Sequence, residues 1–498
     1  MSDLSPAASR RTLENPTRAV AGAPHAGSGP PAPDWGFTLV VTLVALLPRL
    51  FVAIAWSREP VWDGHYYHFG AARIAEGLGY SEDVMIGGYP VWKAWCHYPV
   101  GYSGLLGGLY ALFGPGLLIA PIANAVIGTA QVGVAHRLAR SFLGVNRARI
   151  GAALIALHPG LIAYSALVMN ELLSGLLLLV TAAILLKLRG RLALGGLLGG
   201  LTLGLATLVR PSILFSAPFT ALLSPSRGTK LRSLLRALVL GVGCTAAAVL
   251  TVLPWSLRNC ERMDACAFVS TNGGWNLAIG ALTETGRFRT LTAQDGCPMV
   301  TGQVQQDRCW RDVGRARISA DPAAWLALIP KKLGHTYDHE SFAVEYLHEA
   351  NPSAWPEPRR AAGRALLSNF HRALLVVAAL CLVGWPRRRE LYSTGKWYAA
   401  WGCQVALLGV LLALTLQAVL TVEHPFFWLP ALMPLIALIP LPGRPRQGAV
   451  GRFLLSAVFT TSLTHAVFFG DDRYHLVVSP ALCLLAAAAL RPSAPRGV

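Results

Sequence analysis

Residues 35–56 read WGFTLVVTLVALLPRLFVAIAW, and Arg49 is the one ionisable side chain among them. Crossing a bilayer core takes about 20 residues of apolar helix. A soluble helix of that length would present a polar face; this stretch is apolar all round. Comparable blocks recur at 117–139, 234–255, 397–420 and 474–490. The chain of 498 residues is 54% hydrophobic and 14% charged, where a soluble protein carries roughly a quarter charged residues. The expected fold is an all-α polytopic membrane protein.

The net charge of +18 would suit a polyanion such as nucleic acid, but its distribution argues against that partner. Basic residues gather in short connectors: Arg137/Arg140/Arg147/Arg149, Lys187/Arg189/Arg191, Arg227/Lys230/Arg232/Arg236, Arg387–Arg389 and Arg444/Arg446/Arg452. Such connectors mark the cytoplasmic side. With the N-terminus inside, the expected spans are 35–56, 117–139, 149–168, 171–188, 192–209, 210–223, 234–255, 369–386, 396–420, 425–441, 452–469 and 474–490. This gives about 12 transmembrane helices from 13 hydrophobic segments. The extra segment, Val100–Phe113, must not cross, because crossing would turn every later Arg cluster outward. It is expected to lie in the outer leaflet or to be re-entrant.

Residues 1–34, rich in Pro, Ala, Gly and Ser, read as a disordered cytoplasmic tail. Ala53-Ile54-Ala55 imitates a cleavage site, but the apolar stretch before it is too long for a signal peptide, so an uncleaved first span is expected. The remaining organisation is a transmembrane module at 35–255 with a first external loop at 57–116, an external segment at 256–367, C-terminal helices at 368–491 and a short cytoplasmic tail at 492–498.

On this topology only Asp3, Glu14, Asp34 and Glu390 of the 25 carboxylates are cytoplasmic, leaving 21 outside. Acidic residues contribute little to orientation, so their segregation is an independent sign that chemistry needing carboxylates lies on the outer, periplasmic face. Cys260/Cys266 and Cys297/Cys309 fall in the external segment, where an oxidising compartment would favour two local disulfides.

Asp63 stands seven residues past Trp56, in Trp62-Asp63-Gly64-His65-Tyr66-Tyr67-His68. A carboxylate held at the membrane surface can accept a proton or hold a divalent cation. Glu171 follows a second outer turn, and an acid so close to apolar spans is usually functional. Arg210 lies at another outer boundary, as an anchor or a phosphate contact. Arg49, in the outer part of the first span, is expected to snorkel upward. Arg473, in Gly470-Asp471-Asp472-Arg473-Tyr474-His475, sits at the depth of a lipid phosphate, which its planar fork would match.

Several stretches together resemble the GT-C superfamily of integral-membrane glycosyltransferases, in particular bacterial protein O-mannosyltransferases and the aminoarabinose transferase that modifies lipid A. They are Trp62–Tyr67 with Ala71–Tyr80, His97-Tyr98-Pro99-Val100-Gly101-Tyr102, Tyr164–Glu171, Pro254–Asn259 with Ser270–Leu277, and Arg473-Tyr474. The resemblance implies sugar transfer from a polyprenyl-phosphate donor to a glycan, lipid or protein acceptor. It implies Asp63 as base or metal ligand, with Glu171 supporting it or helping to hold a divalent cation (Mg, Mn or Zn). Arg473 and Tyr474, helped by Arg258 or Lys93, would take the donor phosphate. His65, Tyr66, Tyr67 and His97 would line the substrate. Many relatives have Asp-Glu where this chain has Asp63-Gly64. Other readings are a lipid-linked glycan ligase or polymerase and a lipid-sugar transporter. The latter class usually shows internal repeats and charges in mid-span, which this sequence lacks.

In the external segment, Cys309–Ala320 reads as a short amphipathic helix, and 325–347 as a stretch returning to the membrane surface. His335, Asp338, His339 and Glu340 have metal-ligand side chains, but at loop-like spacing an ordinary polar surface is the favoured reading.

Overall fold

A computed structural model describes residues 34–225, 228–298, 302–383, 394–421, 429–439 and 447–490. The two tails, the Arg387–Arg389 cluster and most of the 425–441 span's flanks lie outside these residues.

The chain is overwhelmingly helical. The first half comprises α1 (Trp35–Ala55), α2 (Asp63–Ala75), strands β1 (Ser81–Ile86) and β2 (Tyr89–Ala94), α3 (Val100–Phe113), α4 (Ile119–Ala139), α5 (Val145–Leu157), α6 (Pro159–Ala163), α7 (Glu171–Lys187), α8 (Leu192–Val209) and α9 (Lys230–Arg262). The external segment adds α10 (Gly273–Leu282), α11 (Gln303–Ala320), α12 (Pro322–Ala327), α13 (Ile329–Tyr337) and α14 (Phe342–Ala350). Then come α15 (Glu357–Ala379), α16 (Thr394–Leu420), α17 (Leu429–Leu438), α18 (Ala449–Val467) and α19 (Ser479–Ala489).

Six described helices are long and apolar enough to cross a membrane: α1, α4, α8, α9, α15 with its 3₁₀ extension to Leu382, and α16. The bent pair α5–α6, which turns by 50°, would make a seventh. Twelve spans were expected, and among the described residues two of those not in this set have a local reason. Pro211 and Pro218 lack the N–H an α-ladder needs, so 210–223 forms two 3₁₀ helices, Pro211–Ser216 and Pro218–Leu223. The last block opens as a 3₁₀ turn, Tyr474–Val478, before the 11-residue α19. The segment expected not to cross, α3, has 14 residues and reaches about 21 Å at 1.5 Å per residue, short of a bilayer core.

The first loop departs from an all-α plan. β1 and β2 pair antiparallel with Ile86 opposite Tyr89. The connecting Gly87 and Gly88 both have positive φ, 60° and 87°, the conformation a two-residue hairpin turn demands.

Arg49 does not snorkel. It is fully buried and donates to Ile155 O (2.9 Å) and Ala156 O (2.8 Å). In an unbroken helix the Ile155 carbonyl would accept from residue 159, but that residue is Pro159 and has no N–H. The guanidinium supplies the missing donors at the α5–α6 break. Elsewhere α8 packs on α9 through Gly200 and Gly204, where any Cβ would collide with Cys244, Ala247, Ala248 or Thr251; such small residues let membrane helices approach closely.

Segment 256–367 is anchored at both ends by continuous helices, α9 through Arg262 and α15 from Glu357. Cys260 is bonded to Cys266 and Cys297 to Cys309. Its small core of Ala278, Ile279, Leu291 and Trp310 closes on Phe469 and Tyr474 from the last external turn. That contact brings the end of the chain to the first loop's chemistry.

Candidate active site

Asp63 is the first residue of α2, where the helix dipole favours a carboxylate. The residue before it, Trp62, has φ of 51°, an uncommon conformation for a bulky side chain. Its ring is held by Phe342 at 5.5 Å and Tyr346 at 5.9 Å between centroids. The backbone is thus forced into a set geometry at the entrance to α2. Gly64 follows because Tyr346 leaves no room for a Cβ there: the phenol oxygen occupies the space. A longer side chain at this point, such as a second acid, could not fit without moving Tyr346.

Both carboxylate oxygens of Asp63 are engaged. The Tyr98 hydroxyl donates to Oδ1 at 2.7 Å, and Arg473 Nη1 donates to Oδ2 in an ion pair. Burial works to raise the Asp63 pKa, but the charge of Arg473 and these two hydrogen bonds outweigh it and hold it below the ordinary carboxylate value. Arg473 also donates to the Tyr474 hydroxyl at 3.2 Å and lies over the Phe342 ring at 5.1 Å. Its neighbour Asp471 is pushed up to about 6 by burial, with Asp472 beside it. Asp472 instead accepts from Phe342 N at 2.9 Å and from Ser341 N and Oγ, which ties the last external turn to the external segment.

Glu171 forms the second acid–base pair. It opens α7, is buried, and accepts from Arg210 Nη1 at 3.3 Å. Arg210 also lies 5.0 Å from the centroid of the Tyr474 ring, the same distance as Arg473. The two guanidinium groups therefore share one aromatic ring. Asn170 links this pair to α2 by donating to the Tyr67 hydroxyl at 2.7 Å. Asp63 and Tyr67, Glu171, and Arg473 and Tyr474, from three regions of the sequence, thus share one site.

The remaining candidates divide. Tyr66 stacks on Tyr98 at 5.2 Å and Trp95 at 6.0 Å, extending an aromatic floor beside Asp63. His97 packs edge-on to Tyr98 and Trp275. Burial lowers its pKa to about 4, with Asp63 opposing, so it is neutral at neutral pH. His65 contacts Tyr66 and Phe69 on the exposed side of α2. Two proposed phosphate helpers are not gathered here. Arg258 donates to the carbonyls of Tyr80 (2.5 Å) and Trp95 (3.2 Å), bracing the hairpin. Lys93 lies on β2 in register with Glu82. Asp63 and Glu171 each face their own arginine, and among the described residues neither belongs to a cluster of three metal-binding side chains. Each of these carboxylates has a guanidinium as its counter-charge in this structure.

No protein-family model matches the chain, and no curated protein does. Among solved structures it is similar to the oligosaccharyltransferase AglB of Archaeoglobus fulgidus in complex with an inhibitory peptide and a dolichol-phosphate. The identity is 14% and the TM-score 0.38, with 90% of this chain and 50% of that one covered. It is also similar to ArnT of Cupriavidus metallidurans bound to undecaprenyl phosphate, at 16% identity and a TM-score of 0.34, covering 92% and 78%. This chain spans about half the length of the archaeal protein. The likeness is distant, and the functional reading below rests on the site.

Two features were not legible beforehand. A cavity of about 1020 Å³ is lined by Arg287, His339, Arg364 and Arg372 together with Val376, Val377, Ala418 and Val419. His339 joins it to the site, lying 3.6 Å from Asp472. The second is a buried group of Glu340, His371 and His475. Of the four suspected ligands at 335–340, only Glu340 belongs to it: His335 faces Thr285 O at 3.1 Å, and Asp338 pairs with His339. His371 was the available signal, an ionisable side chain in an apolar span.

Proposed function

We propose that this chain is a membrane glycosyltransferase moving a sugar from a polyprenyl-phosphate donor to a glycan, lipid or protein acceptor at the outer face of the membrane. The observation that carries the reading is the pairing of Asp63 with Arg473, because the two groups have separable tasks. Arg473 is the phosphate-binding group. As the bond from the anomeric carbon to the phosphate oxygen breaks, its electron pair goes to the phosphate, and a fixed guanidinium stabilises that growing charge. Drawing Arg473 toward the phosphate relieves Asp63 of its counter-charge and raises its basicity. Asp63 then accepts the proton of the acceptor hydroxyl as that oxygen bonds to the anomeric carbon. Tyr98 keeps the carboxylate oriented throughout. Glu171 holds Arg210 against the Tyr474 ring as a second cation within reach of the phosphate.

The mixed lining of the cavity beside α15 supports a lipid-linked donor, with basic groups for a head and aliphatic ones for a chain. The outer-face assignment is supported by the basic connectors and by the two disulfides of the external segment. The test is mass spectrometry of surface lipids, glycans and proteins from cells with and without the gene. Loss of one sugar's mass from one class is expected, and would name sugar and acceptor. Identical profiles in cells shown to express the protein would overturn the reading.

A further inference from the structure

Glu340, His371 and His475 come from three separate parts of the chain: the connection after α13, the middle of α15, and the 3₁₀ turn after Arg473. All three are buried, and one ligand atom from each lies within 4.8 Å of the others. The hydrogen bonds around them set which nitrogens face inward. His371 Nε2 is 3.0 Å from Tyr337 O, and His475 Nδ1 is 2.7 Å from Thr336 O. A carbonyl only accepts, so each of these nitrogens carries a proton. That directs His371 Nδ1 and His475 Nε2 toward Glu340, at 4.0 Å and 3.3 Å from its Oε2.

A proton on His475 Nε2 would pair it with Glu340. It would leave His371 Nδ1 and Glu340 Oε1 buried with no hydrogen-bond partner, which is costly for a buried polar atom. One cation satisfies all three ligand atoms at once. Fixing the distal nitrogen of a histidine on a backbone carbonyl is also how metal-ligating imidazoles are oriented. The Glu340 carboxylate lies directly against Gly160, whose missing Cβ makes the space.

We propose that Glu340, His371 and His475 form a binding site for a divalent first-row transition ion, zinc foremost, distinct from the Asp63 site. Two imidazoles and a carboxylate suit zinc, which binds them at about 2.0–2.2 Å and leaves a fourth position for water. The His371 and His475 rings are stacked at 3.7 Å, so holding the ion would require them to pivot on their carbonyl hydrogen bonds. Two protein contacts connect the site to Arg473. His475 is two residues beyond it, and Phe342, two residues beyond Glu340, lies under its guanidinium. The ion therefore acts as a crosslink that positions Arg473; it does not touch substrate. This assignment stands whether or not the chain transfers sugar.

The test is metal content by plasma mass spectrometry on the full-length protein, purified in mild detergent without chelator from zinc-supplemented cells. About one zinc per chain is expected, falling at least tenfold in Glu340→Gln and His371→Ala. Wild type without bound transition metal, or variants that keep it, would overturn the proposal. Should the variants fail to fold, cobalt added to chelator-stripped wild type decides. Visible absorption bands of four-coordinate cobalt saturating at one equivalent support the site, and their absence refutes it.

Discussion

Arg473 reaches across 410 positions of sequence to pair with Asp63, and Tyr98 holds the other oxygen of the same carboxylate at 2.7 Å. An acid and a cation so placed hold each other in check, and in the reaction proposed above a phosphate competes for the arginine. The predictions below follow from that pair and from the contacts that position it.

Asp63→Asn keeps the hydrogen bond from Tyr98 but removes the base. Sugar transfer by the purified protein should fall by about 10²–10⁴-fold, the usual range for a lost general base, while binding of the polyprenyl-phosphate carrier is retained. Near-normal turnover would remove Asp63 from the mechanism.

Gly64→Ala drives a methyl group into the Tyr346 hydroxyl and displaces the start of α2. A shift of about 1 Å at a catalytic group costs about 100-fold in rate. Tyr346→Phe removes the clashing oxygen and should restore part of that loss in the double variant. The check is turnover of the two single variants and the double; a double variant no better than Gly64→Ala would show that the clash is not the cause.

Arg49→Met removes the donors that serve the carbonyls at the α5–α6 break. Hydrogen bonds from a charged group contribute about 1.5–3 kcal/mol each, so thermal unfolding in detergent should move down markedly. Pro159→Ala returns an N–H to the Ile155 carbonyl. In that background the Arg49→Met loss should shrink by about 1 kcal/mol, a coupling a double-mutant cycle reads directly.

His97 has a folded pKa lowered from 6.5 to about 4. Between those values the unfolded chain binds a proton that the folded one refuses, so stability falls as pH drops through that window and is unaffected above it. The loss attributable to His97 is about 2 kcal/mol at pH 5 relative to pH 8. Comparing melting of wild type and His97→Gln at the two pH values isolates it; equal pH dependence in both would show that the imidazole is not the source.

The sequence by itself determined the solvent of this protein, and its charge sorting is the ground for proposing an outer-face site. Apolar blocks such as 35–56 must satisfy their backbone internally and so become helices, and the sorting of arginines and carboxylates needs no tertiary contact. It also exposed Asp63, Glu171 and Arg473, because charged groups at the ends of apolar blocks stand out. Helix length and continuity were less legible. Pro211, Pro218 and Pro159 break the α-ladder locally, and whether a broken segment is tolerated depends on a distant donor such as Arg49. Partnership was decided by tertiary structure alone. Nothing in the sequence says that Arg473 meets Asp63 while Arg258 braces a hairpin, since an arginine's partner is whichever acceptor the packing leaves within reach. The same holds for Glu340, His371 and His475, whose spacing forms no motif and whose convergence depends on α15 and the last external turn closing over the external segment.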